Sequence, residues 1–215
     1  MRRYNHYLSW EALRVRKYFI GLDLGQAQDY TALCVVERKN LLYSSPRVRY
    51  YVRHLQRFKL GTAYPDIVQA VKRMYDRPPL RGQSALVVDS TGVGRPVVDL
   101  FRKAGLRPVA ITITGGQAVS VGYGGYRVPK RDLVVNLAVM LQTGRLKIAG
   151  QLPEAQTLVN ELLNFKVKIN PKTAHDSYEA WREGIHDDLV LAVAMAVWYA
   201  ERYQRSKPIP KPAGW

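Results

Sequence analysis

The chain has 215 residues, 33 Lys and Arg against 17 Asp and Glu, a formal net charge of +16 and a single cysteine. Its 47% hydrophobic content supports a buried core and excludes wholesale disorder, and one cysteine excludes an intrachain disulfide framework or a thiolate zinc cluster. No apolar stretch reaches the roughly 20 residues of a membrane span, and the opening MRRYNHYLSWEALRVRKYF lacks the apolar core of a secretory signal, so the expectation is a soluble, cytoplasmic protein with no membrane partner.

Of the 33 basic residues 21 are Arg, whose planar fork grips phosphate oxygens better than an ammonium does. Charge therefore points first to nucleic acid; a strongly charged surface that maintains solubility is the other reading. The organisation expected is a basic segment at 1–17, one folded domain at 18–205 and a Pro-rich, disordered tail at 206–215.

In chain order, Tyr18 to Asp23 (YFIGLD) and YTALCVVER read as two strands joined through the polar turn GQAQD, with Cys34 a buried packing residue. Arg47 to Phe58 suits a third strand with a solvated basic face, because residues two or four apart project to one side. It belongs to the segment Arg38 to Lys59, which holds seven basic residues and no acid. Tyr64 to Tyr75 has helical spacing, SALVVD reads as a buried parallel strand, GRPVVDLFRKA as a helix stopped by Gly105, and Pro108 to Thr114 as a strand. Five glycines in eleven residues make Gly115 to Gly125 a mobile loop or a loose hairpin. Helices follow at Lys130 to Gln142 and Glu154 to Leu163, with a short strand at Leu146 to Ile148 between them, and His186 to Arg205 is a buried C-terminal helix.

Three sets of acids stand out against this background. Asp23 follows an apolar run in the first strand, Asp89 closes a second one, and Asp187 and Asp188 open the buried helix. Asp89 also fits the start of a turn, and Asp187 or Asp188 a helix N-terminus. Together they match a layout that gathers carboxylates at one edge of a central sheet. Burying an unpaired charge costs several kcal/mol, and hard carboxylate oxygens without a His or Cys cluster suit Mg²⁺ or Mn²⁺. That combination points to two-metal phosphoryl chemistry.

The stretches GLDLGQAQDYTALCVVER, ALVVDSTGVGRPVVDLFRKAG, YRVPKRDLVVNLAVMLQTGRLKI and GIHDDLVLAVAMAVW, in that order, resemble the nuclease domain of the bacteriophage terminase large subunit over about Tyr18 to Tyr203. The resemblance implies an α/β, RNase H-like fold with a mixed sheet flanked by helices, and a two-metal endonuclease that cuts double-stranded, concatemeric phage DNA during genome packaging. By that resemblance Asp23, Asp89 and Asp188 are the catalytic ligands of two Mg²⁺ or Mn²⁺ ions, with Asp187 and Asp29 as possible further ligands and His186 beside the site. Asp29 equally suits a structural turn. Arg47, Arg49, Arg53 and Arg57 on the basic strand, and the motif pair Lys130 and Arg131, are candidate DNA contacts. The implied partners are the packaging ATPase, the portal and the small terminase subunit, in the host cytoplasm if the protein is phage-encoded, with the isolated domain monomeric. The chain holds no G-x-x-x-x-G-K-[ST] loop, so translocation is expected of a separate ATPase domain. The rival classes are a Holliday-junction resolvase or another RNase H-like nuclease, an actin-like ATPase suggested by GLDLG and VDSTGVG, and a DNA-binding scaffold without catalysis.

Overall fold

The computed structural model describes residues 17–25, 29–41, 45–92, 94–122, 125–168 and 187–205. The basic segment up to residue 16, His186 and the tail at 206–215 lie outside the described residues.

Strand β1 (Tyr18–Asp23) pairs antiparallel with β2 (Ala32–Asn40), and β2 with β3 (Val48–Arg57). Helix α1 (Tyr64–Tyr75) crosses to β4 (Ser84–Asp89), which lies parallel to β1 on its other side. A second crossover, α2 (Gly94–Lys103), leads to β5 (Val109–Thr114), parallel to β4. The glycine-rich stretch that follows takes the hairpin alternative: β6 (Ser120–Gly122) and β7 (Gly125–Pro129) form a short antiparallel pair, and β7 joins the sheet parallel to β5. Helix α3 (Lys130–Gln142), strand β8 (Leu146–Ile148), α4 (Ala155–Lys168) and α5 (Asp188–Arg205) complete the described chain. The strand order is β6-β7-β5-β4-β1-β2-β3-β8.

Two apolar layers sandwich this mixed sheet. On one face Ile67, Val68 and Val71 of α1 and Val97, Val98 and Phe101 of α2 pack on Ile20, Leu22, Leu86 and Val88. On the other, α5 packs on β1 and β2 and is covered in turn by α3 and α4. From Leu189 to Ala200 every residue of α5 is buried, which is why the run LVLAVAMAVWYA shows no polar face: a helix with protein on all sides has none to show. Its C-terminal half is held by an aromatic cluster, Phe19 with Tyr199 and Tyr126 with Trp198 at ring separations of 6.1 and 5.4 Å. Glu201 adds polar anchors by accepting hydrogen bonds from Tyr50 and Arg145.

One glycine sets how near α5 can come. A Cβ built on Gly21 would stand 2.0 Å from the backbone oxygen of Ala192 and 3.0 Å from Cys34 Sγ. Only hydrogen at that position lets the helix lie directly on β1, and Ala192 is one turn from the helix start.

The arginines of β3 do not share a face. Val35 pairs with His54 but Val36 pairs with Val52, so Arg53 is an extra residue in the ladder, and a bulge of this kind reverses the alternation beyond it. Tyr50, Val52 and Leu55 all lie in the core beneath α5. Arg49 and Arg53 therefore lie on the α1 face, whereas Arg57 joins Leu55 on the α5 face. Period-two counting along one strand cannot register a bulge created by the pairing with its neighbour.

Replacing Gly21 with alanine forces α5 away from β1. Overpacking of this kind costs about 1–3 kcal/mol, and a domain of this size loses about 2–4 °C in Tm per kcal/mol. Thermal unfolding followed by circular dichroism should show that fall, and an unchanged Tm would mean the helix does not depend on this contact.

Candidate active site

Asp23 is the last residue of β1 and Asp89 the last of β4. Asp23 thus ends its strand, at the bound that the run YFIGLD set. The two strands are parallel neighbours, with Leu22 opposite Val88, so the carboxylates that follow stand side by side at the carboxyl edge of the sheet. Alternation turns both toward α5, with Phe19, Ala85 and Val87. Helix α5 begins at Asp188 and reaches the same place because of the Gly21–Ala192 contact one turn later. Asp23, Asp89 and Asp188 are 7%, 9% and 7% exposed.

Local geometry holds each of them. The chain leaves β1 through a turn in which Gly25 N donates to Thr31 Oγ1 at 3.1 Å and Tyr64 Oη donates to the Gly25 carbonyl at 3.0 Å. Asp89 Oδ1 accepts from Thr91 N and Thr91 Oγ1 at 2.7 and 2.5 Å, the Asx turn that its sequence position also suggested. Thr91 Oγ1 in turn accepts from Ile113 N at 2.9 Å. A Cβ on Gly94 would stand 2.2 Å from the Asp89 carbonyl oxygen, so α2 can begin directly against this turn only through a glycine.

The electrostatics are those of crowded acids. Burial raises the Asp23 pKa well above the carboxylate range, and the charges of Asp89, Asp188 and Asp187 raise it further. Asp23 and Asp89 share a side-chain hydrogen bond, which raises the Asp23 pKa further and offsets part of the rise at Asp89. Asp89 is also raised by burial, with partial relief from the two Thr91 donors, the bond from Asp23 and the charge of Lys130. Lys130, the first residue of α3, donates from Nζ to Asp187 Oδ2 at 3.0 Å. It is therefore placed inside the acidic cluster by the extended strand that precedes it.

The remaining residues expected at the site fall elsewhere. Asp29 is exposed and lines a cavity of about 200 Å³ with Gly25, Thr31, Lys59, Thr62 and Tyr64. Arg131 is half exposed and lies 3.7 Å from Asp132. Arg47 is exposed, and Arg53 Nε donates to Glu37 at 2.8 Å while stacking over Tyr51 at 5.0 Å. Arg57 donates instead to Glu161 and lies over the Tyr30 ring at 5.0 Å.

Glu161 is the residue that sequence reading missed. It projects from α4, is 6% exposed, and its Oε2 accepts from Val190 N at 3.0 Å. It thus satisfies an orphan amide at the first turn of α5, two residues beyond Asp188. Burial raises its pKa to about 7, and the Asp188 charge contributes to the rise. The signal was a Glu three residues after Leu158 in an otherwise apolar helical stripe, a position that buries an acid beside core leucines.

Among the described residues the acids do not converge three at a time on one point in metal-coordinating fashion. Their chemistry nevertheless fits divalent cations. Four carboxylates with hard oxygen donors crowd one end of the sheet, where burial first and the charges of its neighbours second raise the Asp23 pKa; a dication would offset that repulsion.

A family model described as the terminase RNase H-like domain matches residues 20–200. The chain belongs to that family. The large terminase subunits of Thermus phage G20c and Thermus virus P23-45 are each 24% identical to it over 179 residues, 83% of this chain but 31% of theirs, so the chain spans about a third of the length of those relatives. Among solved structures, the large terminase nuclease of phage G20c superposes with a TM-score of 0.55 at 22% identity, over 83% of this chain and 80% of that one. The human cytomegalovirus terminase nuclease domain, soaked with Mn, superposes with a TM-score of 0.51 at 14% identity, over 92% and 89%. The RNase H-like fold expected from the motifs is thus the fold of this terminase domain.

Raised carboxyl pKa values carry a definite sign. A buried acid that binds its proton more tightly when folded stabilises the fold fully below its unfolded pKa, and that stability is lost as pH rises through the folded value. Glu161, Asp23 and Asp89 all act in this direction. The Tm of the metal-free terminase domain should therefore fall between about pH 5 and about pH 8. Asp23→Asn should flatten that fall and raise Tm at the upper end; a wild-type Tm that climbs over the same range would contradict this arrangement of charges.

Proposed function

We propose that this domain is a metal-dependent endonuclease that cuts double-stranded DNA, acting as the nuclease part of a phage terminase on concatemeric DNA during packaging. The observation that supports it most directly is the pairing of Asp23 with Asp89 on adjacent parallel strand ends, to which α5 adds Asp188 and Asp187. Family membership supports the same reading, and the Mn-soaked cytomegalovirus domain supports a divalent cation as cofactor.

Asp23, Asp89 and Asp188 would hold two Mg²⁺ or Mn²⁺ ions, with Asp187 available as a further ligand. Bound there, such ions supply an activated water for in-line attack on phosphorus and charge stabilisation of the leaving 3′ oxygen. The protein's own part is to hold those oxygens still. Thr91 pins Asp89, Glu161 anchors the first turn of α5, and Lys130 is positioned to meet a phosphate when Asp187 turns to a cation. Arg47, Arg49 and Arg53 are backbone contacts on a wing of the sheet, while Arg57 acts through Glu161 and the helix. Asp29, exposed, has a turn role in this reading. Translocation, and contacts with the portal and small subunit, belong to the ATPase-bearing assembly.

Incubation of supercoiled plasmid with the protein should yield nicked and linear products with Mn²⁺ or Mg²⁺ and none in EDTA. Alanine at Asp23 or Asp188 should reduce cleavage by at least about 10³-fold while duplex binding persists. Cutting by either mutant at the wild-type rate, or cutting that needs no metal, would overturn the assignment.

A second measurement concerns Glu161. Glu161→Gln keeps the shape and the acceptor oxygen for Val190 N but cannot hold Arg57 as an ion partner. Cleavage should weaken by about tenfold through looser metal binding, as outer-shell substitutions commonly cause, and a higher Mn²⁺ concentration should restore it. A loss that metal does not rescue would place Glu161 in the fold alone.

A further inference from the structure

We propose that a cavity of about 450 Å³ between α2, β5 and the β6–β7 hairpin is a second phosphate site, which holds the backbone of the DNA strand beside the cleavage centre. The proposal rests on the nucleic-acid reading above and extends it to a part of the surface that the carboxylates do not touch.

Arg95 and Arg102 lie seven residues apart on α2, and so on one face of the helix, and both line the cavity. Arg127 enters from β7, where it pairs with Thr112 of β5 and faces the same side of the sheet. Asp99 is the one acid among the described lining residues, and Arg102 Nη1 already donates to it at 2.8 Å. The floor is polar as well: Ser90 Oγ and Thr112 Oγ1 are 2.9 Å apart. One of these hydroxyls donates to the other, and the accepting one keeps a proton to offer.

The walls explain why the space stays open. Gly122 and Gly125 line it without side chains, and a Cβ on Gly125 would stand 2.0 Å from the Ala110 carbonyl oxygen. The hairpin can therefore lie close over β5 without filling the cavity. The volume is in the range of small-ligand sites, and beside the apolar Val98, Ala110 and Tyr126 the lining offers three guanidinium forks and two hydroxyls, groups that suit phosphate oxygens.

Its position gives the site a purpose. Ser90 is the residue after Asp89, so carboxylates and arginines occupy opposite faces of the same strand end. A strand held at its scissile phosphate by the acidic face reaches the arginine face by passing over the carboxyl edge of β4. Two grips on one strand, on either side of that edge, would fix its direction across the cleavage centre.

The test is duplex binding by fluorescence anisotropy, with the full chain in Ca²⁺ buffer and a labelled duplex of about 30 base pairs. Arg95→Ala/Arg127→Ala should weaken binding by about tenfold or more at about 0.1 M salt. It should also lower the slope of log K against log salt by about 2, close to 0.9 for each phosphate that is no longer neutralised. Arg77→Ala/Arg81→Ala, exposed arginines at the opposite, amino end of β4, is the control and should bind as wild type. Arg95→Glu provides a second variant should the double mutant fold poorly, and circular dichroism of each checks the fold.

Wild-type affinity in the Arg95/Arg127 double mutant, or an equal loss in the control, would overturn the proposal. So would a rise in Tm with pyrophosphate that the double mutant loses while its duplex binding is unchanged, since the cavity would then serve free phosphate compounds. Because the readout is binding, it separates from the nuclease reading. Absent cleavage with the binding difference intact removes the nuclease and leaves this site, and cleavage without the difference does the reverse.

Discussion

The contact between Gly21 and Ala192 governs the geometry of this domain. A helix buried on all sides can lie on a sheet only as closely as its nearest side chains allow, and here a hydrogen atom faces a backbone carbonyl. Because Ala192 is one helical turn from Asp188, the height of α5 above β1 is also the distance between the helix-borne acids and those of the strands. The aromatic cluster and the Glu201 contacts at the far end of α5 fix its rotation. The packing of an apolar core thus sets the position of charged groups at its edge.

The charges are arranged against the inclination of an isolated protein. Folding brings together four carboxylates that repel one another, buries three of them, and raises the Asp23 pKa well above its ordinary value. Lys130 and the Thr91 donors offset part of that cost. Such an arrangement persists because the two cores surrounding it are large, and burying apolar area contributes about 25 cal/mol per Å². Sites that store unfavourable charge in this way are where a cation or a reacting phosphate gains the most from binding. The excess of +16 then belongs largely to the surface around this acidic pocket, where it can draw polyanions toward it.

The arginines divide by what their neighbours require of them. Arg57 has become an internal strut, its charge matched to Glu161 and its plane laid over Tyr30. Arg53 is half-committed to Glu37 at the surface, where an exposed pair contributes little to stability. Arg95, Arg102 and Arg127 line an open, hydroxyl-floored cavity with a single acid among its described lining residues. Counting basic residues along the chain could not separate these roles, because they depend on what the fold places beside each arginine, a residue 104 positions away for Arg57.

By itself the sequence determined the elements and the chemistry. Hydrophobic periodicity and glycine placement located the strands and helices, to the residue for Lys130 to Gln142 and Leu146 to Ile148 but five residues short at the end of α4, expected at Leu163 and found at Lys168, and the acids at the ends of apolar runs marked the site. These signals are local: a period of two or 3.6, or an acid where an apolar residue belongs, is visible within ten residues. Tertiary structure decided what depends on pairing. It set the bulge that turned Arg57 inward, the hairpin that gave the glycine-rich stretch a place in the sheet, and the recruitment of Glu161 to the first turn of α5. Each follows from which strand or helix lies beside which, and that is settled by the burial of whole faces and not by the preferences of any one segment.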